Sequence, residues 1–105
     1  MATSDDLWGG QLISVAFDPR THACDLRVTT LQEGVTSVYN IACRGVSDLR
    51  FHNAIPEPWT YAEVTEAHLG TDQHTGRHTL ELVLWSEDAE LVVTGSSIDI
   101  REVGG

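Results

Sequence analysis

Apolar residues recur at every second position along most of this chain, and stretches with a helical period are scarce. That pattern restricts the fold to β-sheet, because a strand turns alternate residues to opposite faces and can bury only one of them. From Gln11 to Asp18, the residues Ile13, Val15 and Phe17 share a face. From Cys24 onward, Leu26 and Val28 join Cys24, while Asp25, Arg27 and Thr29 point the other way. A third run turns Val35, Tyr39, Ile41 and Cys43 inward, and a fourth, Val46 to His52, alternates Leu49 and Phe51 with Asp48 and Arg50. The last runs set Leu80, Leu82 and Leu84 against Glu81, Val83 and Trp85, followed by Leu91 and Val93 and then Ile98 and Ile100.

The breaks between runs carry turn chemistry. Asp18-Pro19-Arg20-Thr21-His22 combines a fixed proline φ with an aspartate able to bond the backbone ahead of it. Glu33-Gly34 reads as a two-residue hairpin loop. Gly45 predicts a bulge or bend rather than a full turn. Asn53 to Thr60 holds Pro56 and Pro58, which no central strand tolerates, so it is a loop crossing between sheets or over an edge. Tyr61 to Leu69 fits either two helical turns or a strand with Ala62 and Val64 inward; its Tyr, Val and Thr favour the strand. Gly70 to Gly76 is a polar loop, and Ser86 to Ala89 a turn. A two-residue loop at Gly95-Ser96 would set Val93 opposite Ile98 and Leu91 opposite Ile100, gathering every large aliphatic on one face. The expected fold is all-β: about eight antiparallel strands in two meanders forming a small β-sandwich, a single domain over residues 1–105.

Charge narrows the function classes. The 105 residues carry sixteen acids against six arginines and no lysine, a formal net charge of −10. Residues 1–52 hold six acids and four arginines, a net of −2; residues 53–105 hold ten acids and two arginines, a net of −8. Such a chain repels a phosphate backbone, so nucleic-acid binding is disfavoured. No stretch approaches the roughly 18 apolar residues of a membrane span. Met1 to Asp6 lacks the basic start and apolar run of a signal peptide, so a cytoplasmic protein is expected.

With Glu33-Gly34 as the loop, Cys24 and Cys43 become direct cross-strand neighbours, β-carbons roughly 4.5–5.5 Å apart. Their apolar company and a reducing compartment favour two buried thiols over a bridge. The histidines His22, His52, His68, His74 and His78 match no structural zinc spacing, so no metal and no other cofactor is expected. No nucleophile elbow, phosphate loop or dinucleotide fingerprint occurs. On a strand, Glu63 and Glu66 would lie on opposite faces, and Glu87-Asp88 would sit at a hairpin tip with Glu90 just beyond.

The acidic half remains as a candidate contact surface. Its expected partner-binding residues are Glu57, Trp59, Tyr61, Glu63, Glu66, Asp72, Glu87 and Asp88. Aromatics beside carboxylates suit a hot spot facing a basic partner; the alternative is that they fold inward and cap one end of the sandwich, which fits Tyr61 as well as the hot spot does and is favoured for Trp59. Trp8 and Trp85 read as structural.

The run Gly10-Gln11-Leu12-Ile13-Ser14-Val15-Ala16-Phe17-Asp18, with the later Gly45-Val46-Ser47-Asp48-Leu49-Arg50-Phe51, resembles the small YxiG-like domains. It is also similar to all-β immunity proteins of bacterial polymorphic-toxin systems, the matching runs covering about half of the chain. The resemblance implies a small non-catalytic protein that neutralises a toxin by covering its active site. It carries over no residue roles, because the toxin-contacting positions of such families vary. The leading expectation is therefore an immunity- or inhibitor-type protein binding a basic protein such as a nuclease toxin. The alternatives are a self-associating β module, as in a homodimer, and a small hydrolase using histidine and carboxylates.

Overall fold

The computed structural model describes residues 3–58, 62–85 and 88–104. The alternation becomes eight strands: β1 (Gln11–Asp18), β2 (Ala23–Gln32), β3 (Val35–Arg44), β4 (Asp48–Asn53), β5 (Ala62–Thr71), β6 (His78–Leu84), β7 (Ala89–Gly95) and β8 (Ser97–Gly104). Every pairing is antiparallel, in the order β4-β7-β6-β5-β1-β2-β3-β8. Two meanders are present, β1-β2-β3 and β5-β6-β7, while β4 and β8, expected to complete them, join β7 and β3 instead. The halves they build meet along a short ladder in which Gln11 pairs with Glu63 and Leu12 with Ala62.

Local chemistry sets the turns. Asp18 Oδ1 accepts the Arg20 N–H at 2.9 Å, closing the turn to β2. Glu33 and Gly34 both take positive φ, +52° and +80°, the combination a two-residue hairpin with the strands' own twist requires. Gln32 accordingly pairs with Val35, and the register carries Cys24 opposite Cys43 as expected.

The last connection differs from its prediction. Gly95-Ser96 does not close a β7–β8 hairpin. Val93 lies opposite Leu49 and Leu80, whereas Ile98 lies opposite Cys43 and Ile100 opposite Ile41. At Ser96 the chain leaves one half and enters the other, and at Gly45 the β3–β4 segment makes the same passage beside it. The two bends are tied: Ser96 N–H donates to the Arg44 carbonyl and Ser47 N–H to the Thr94 carbonyl, each at 2.9 Å. Gly95 permits this approach, since a β-carbon there would stand 2.7 Å from the Arg44 carbonyl oxygen. Alternation named the inward face correctly but not the partner strand, because both halves bury the same core.

That core places Cys24, Leu26, Val28, Ile41 and Cys43 of the first half against Leu80, Leu82, Leu84, Leu91 and Val93 of the second, all buried. Each full aliphatic burial stabilises the fold by roughly 1.5–3 kcal/mol. The Tyr61–Leu69 ambiguity resolves as strand over Ala62–Thr71, with Ala62 and Val64 buried. A short 3-10 helix over Ser4–Leu7, which periodicity did not anticipate, drops Leu7 into the core. The Asp6 carboxylate accepts the Thr3 N–H at 2.8 Å and fixes its start. In β1 a bulge between Leu12 and Ser14 takes up Ile13 as an extra residue, after which Val15 pairs with Leu26 and Phe17 with Cys24. Val15 and Phe17 thus keep the inward side yet remain 45% and 42% exposed.

Candidate partner-binding face

The outward positions of the second half form a cross-strand grid. Glu66, Val83, Glu90 and His52 make one row; His68, Glu81, Val92 and Arg50 make the next. Neighbours in a row have β-carbons roughly 4.5–5.5 Å apart, so the carboxylates of Glu66, Glu81 and Glu90 share a single patch. They line, with Val83 and Ala89, a shallow depression of about 380 Å³.

A bulge explains why Glu66 belongs there. Ala62 and Val64 point inward, and strict alternation would send Glu66 after them. The register shifts between Val64 and Glu66, so Glu66 turns outward and Ala67 takes the buried position. The Thr65 hydroxyl donates to the Val83 carbonyl at 3.1 Å and holds the bulge. The expectation that Glu63 and Glu66 lie on opposite faces is corrected accordingly: both face solvent.

The patch is uneven in charge. His68 Nε2 lies 3.1 Å from Glu66 Oε1, the side chains 52% and 40% exposed, which is an open pair rather than a histidine against a buried carboxylate. The Trp8 ring meets His68 edge-on at 5.7 Å and donates its indole N–H to the Ala67 carbonyl at 2.9 Å. Arg50 is engaged by Asp48 at 2.8 Å. Among the described residues no arginine pairs with Glu63, Glu81 or Glu90.

The expected contact residues do not all gather here. Glu66 does, and Glu63 stands exposed at the start of the same strand. Glu57 is exposed in the segment between β4 and β5. Asp72 instead serves its own turn, Oδ1 accepting the N–H groups of His74 at 2.7 Å and Thr75 at 3.3 Å. Asp88 belongs to the β6–β7 turn, donating its N–H to the Trp85 carbonyl and accepting the Ala54 N–H. Trp59, Tyr61 and Glu87 lie outside the described residues. Glu81 and Glu90, central to the patch, were absent from the expected set. Their outward places in the alternation were the signal that could have found them.

Other chemistry is confined. Cys24 and Cys43 are free and buried. Burial raises both thiols, and pushes Cys43 up to about 12, which suppresses the thiolate a nucleophile needs. His78 Nδ1 shares a hydrogen bond with the Thr71 hydroxyl at 2.9 Å. Among the described residues no group of three or more His, Cys, Asp or Glu side chains is placed to hold a metal ion. No described helix is long and apolar enough to cross a membrane.

No protein-family model matches this chain, and no curated protein matches it. Among solved structures, the crystal structure of an uncharacterized protein from Neisseria gonorrhoeae is similar, with a TM-score of 0.71 over 91% of this chain and 93% of that one, at 12% identity. At that identity the likeness is one of fold.

Proposed function

We propose that this protein is a non-catalytic, acidic binding protein of the immunity or inhibitor type, which covers a basic protein partner such as a nuclease toxin. The observation that carries the reading is the patch of Glu66, Glu81 and Glu90, in which Glu81 and Glu90 have no arginine of their own among the described residues. Carboxylates kept in solvent retain their charge until a partner's Lys or Arg meets them, which speeds encounter and adds charge-assisted hydrogen bonds on docking. Val83 and the Trp8 ring beside His68 give the patch apolar surface to dehydrate. A hydrolase would instead place its carboxylate pair in a dry cleft, with one proton held near neutral pH.

The test is co-expression and pull-down with the proteins encoded beside the gene, followed by association kinetics at increasing salt. A basic partner should bind with an on-rate that falls as salt rises, and Glu81→Gln with Glu90→Gln should slow it further. Absence of any basic partner, or a complex indifferent to both salt and these substitutions, rules the reading out.

Self-association is the second reading, favoured by Ile13, Val15 and Phe17, which stay exposed along β1. Sedimentation would reveal a dimer that persists in high salt and is lost in Phe17→Ser.

A further inference from the structure

The sheet ends on two strands. β4 and β8 close the order β4-β7-β6-β5-β1-β2-β3-β8, and among the described residues each pairs on one side alone. An edge of unpaired N–H and C=O groups accepts a further strand unless shortness, proline or repelling charge prevents it. β8 is eight residues long, Ser97–Gly104, and contains no proline. Its ladder with β3 sets Asp99 and Arg101 opposite Ala42 and Asn40 on the outward side, and Ile98 and Ile100 opposite Cys43 and Ile41 on the inward side. Asp99 and Arg101 carry opposite signs, so this stretch of edge does not repel a copy of itself.

The order of those signs selects one register. When a strand pairs antiparallel with its own copy about a two-fold axis normal to the sheet, outward residues meet outward ones only if the axis passes through a residue pair. An axis at Asp99 sets that carboxylate against itself, and an axis at Arg101 sets guanidinium against guanidinium. An axis at Ile100 sets Asp99 opposite the second copy's Arg101, and Arg101 opposite its Asp99. On the inward side Ile100 then meets Ile100, and Ile98 meets Glu102. Within one chain Arg101 Nε lies 2.5 Å from Asp99 Oδ2, with the side chains 76% and 53% exposed. That contact uses one guanidinium donor, and the other donors and carboxylate lone pairs remain for a partner.

β4 also carries such a pair, Asp48 with Arg50 at 2.8 Å. It begins at Asp48, so an axis at Leu49 would match three residues and no more. Its half is also the more negative. Residues 45–96 hold nine acids and two arginines, a net of −7, whereas residues 1–44 with 97–105 hold seven acids and four arginines, a net of −3. A strand of purely basic character would be attracted by Asp99 and repelled by Arg101, so the edge fits alternating signs in the order it displays itself.

We propose that a second copy of this chain adds its β8 antiparallel to β8 about an axis at Ile100, joining the two first halves into one continuous sheet. Main-chain hydrogen bonds hold the strands and the paired charges fix the register. This gives the self-association reading a specific edge, on a different strand from Phe17 and away from the Glu66–Glu81–Glu90 patch.

The experiment is sedimentation equilibrium on the protein and on Arg101→Asp and Asp99→Arg, alone and mixed. The parent should dimerise, and each single variant, which places like charges opposite at both pairs, should weaken the dimer about tenfold or more. An equimolar mixture of the two variants should form a heterodimer, because every like-charge pair becomes an opposite one; this recovery also shows that both variants fold. The inference is overturned by a parent that stays monomeric up to about a millimolar, by a dimer indifferent to both substitutions, or by variants that do not recover on mixing. A dimer lost in Phe17→Ser and kept in Arg101→Asp overturns it too, and assigns the contact to β1.

Discussion

Two glycine-to-alanine changes should move stability in opposite directions, because their surroundings differ while their chemistry does not. Gly95 ends β7 at the corner, and an added β-carbon would lie 2.7 Å from the Arg44 carbonyl oxygen and 3.6 Å from the Gly45 carbonyl oxygen. Both obstacles are backbone, so no side chain can rotate away. Relief requires β7 and β3 to separate, straining the Ser96 N–H bond to that same Arg44 carbonyl. Overpacking of this kind costs about 1–3 kcal/mol, and a rigid obstacle argues for the middle of that range or above. At about 2 kcal/mol the melting temperature should fall by roughly 10 °C for a domain of this size. Gly70, in β5, has nothing within 4 Å of its would-be β-carbon. Gly70→Ala should therefore stabilise by about 0.4–1 kcal/mol, mainly by restricting the unfolded chain. Urea unfolding followed by tryptophan fluorescence measures both variants against the parent. If Gly95→Ala unfolds within about 0.5 kcal/mol of the parent, or if both shifts share a sign, the corner is not packed as described.

Other perturbations probe the core, the thiols and the charged face. Leu82→Ala removes a fully buried side chain and should cost about 2–5 kcal/mol in the same urea assay. Cys43 holds its proton to about 12 when folded against an ordinary 9.0, so the unfolded chain releases it first. The stability this gives is complete below pH 9 and is lost as pH climbs toward 12. Cys43→Ala should flatten that decline without abolishing it, since Cys24 and Tyr39 shift in the same direction. Replacing Glu66, Glu81 and Glu90 together by glutamine should leave the melting temperature equal or slightly higher while slowing capture of a basic partner. A clear loss of stability would show that these carboxylates serve the fold instead. Trp8→Phe deletes the indole bond to Ala67 and should cost about 1 kcal/mol.

Much of the architecture was legible because strands report their faces directly. Glu33-Gly34 set one hairpin register, and from it the meeting of Cys24 with Cys43 followed by counting. The pairing of β8 did not follow. Ile98 and Ile100 satisfy the same inward pattern whether they face β7 or β3, and the choice lies in how closely Gly95 approaches Arg44. Likewise, two bulges moved Ile13 and Glu66 off the faces that strict alternation assigns, a one-residue change invisible to periodicity. The candidate face was half legible. Acid excess pointed to the second half, but proximity in sequence favoured turn residues such as Asp72, which spends its carboxylate on its own loop. Glu81 and Glu90 converge only across strands.

The paired corner at Gly45 and Ser96 also dictates the order in which this fold can be completed. Residues 97–104 form the outer strand beside β3, so the half containing the chain's earliest strands stays unfinished until its latest one has been made. During synthesis β1 to β3 must wait, with the edge of β3 bare, while the intervening strands emerge. The first half is then not a unit that can mature first, although its strands are the earliest made. Folding should be a single late event, slow for so small a protein, in which both layers lock together.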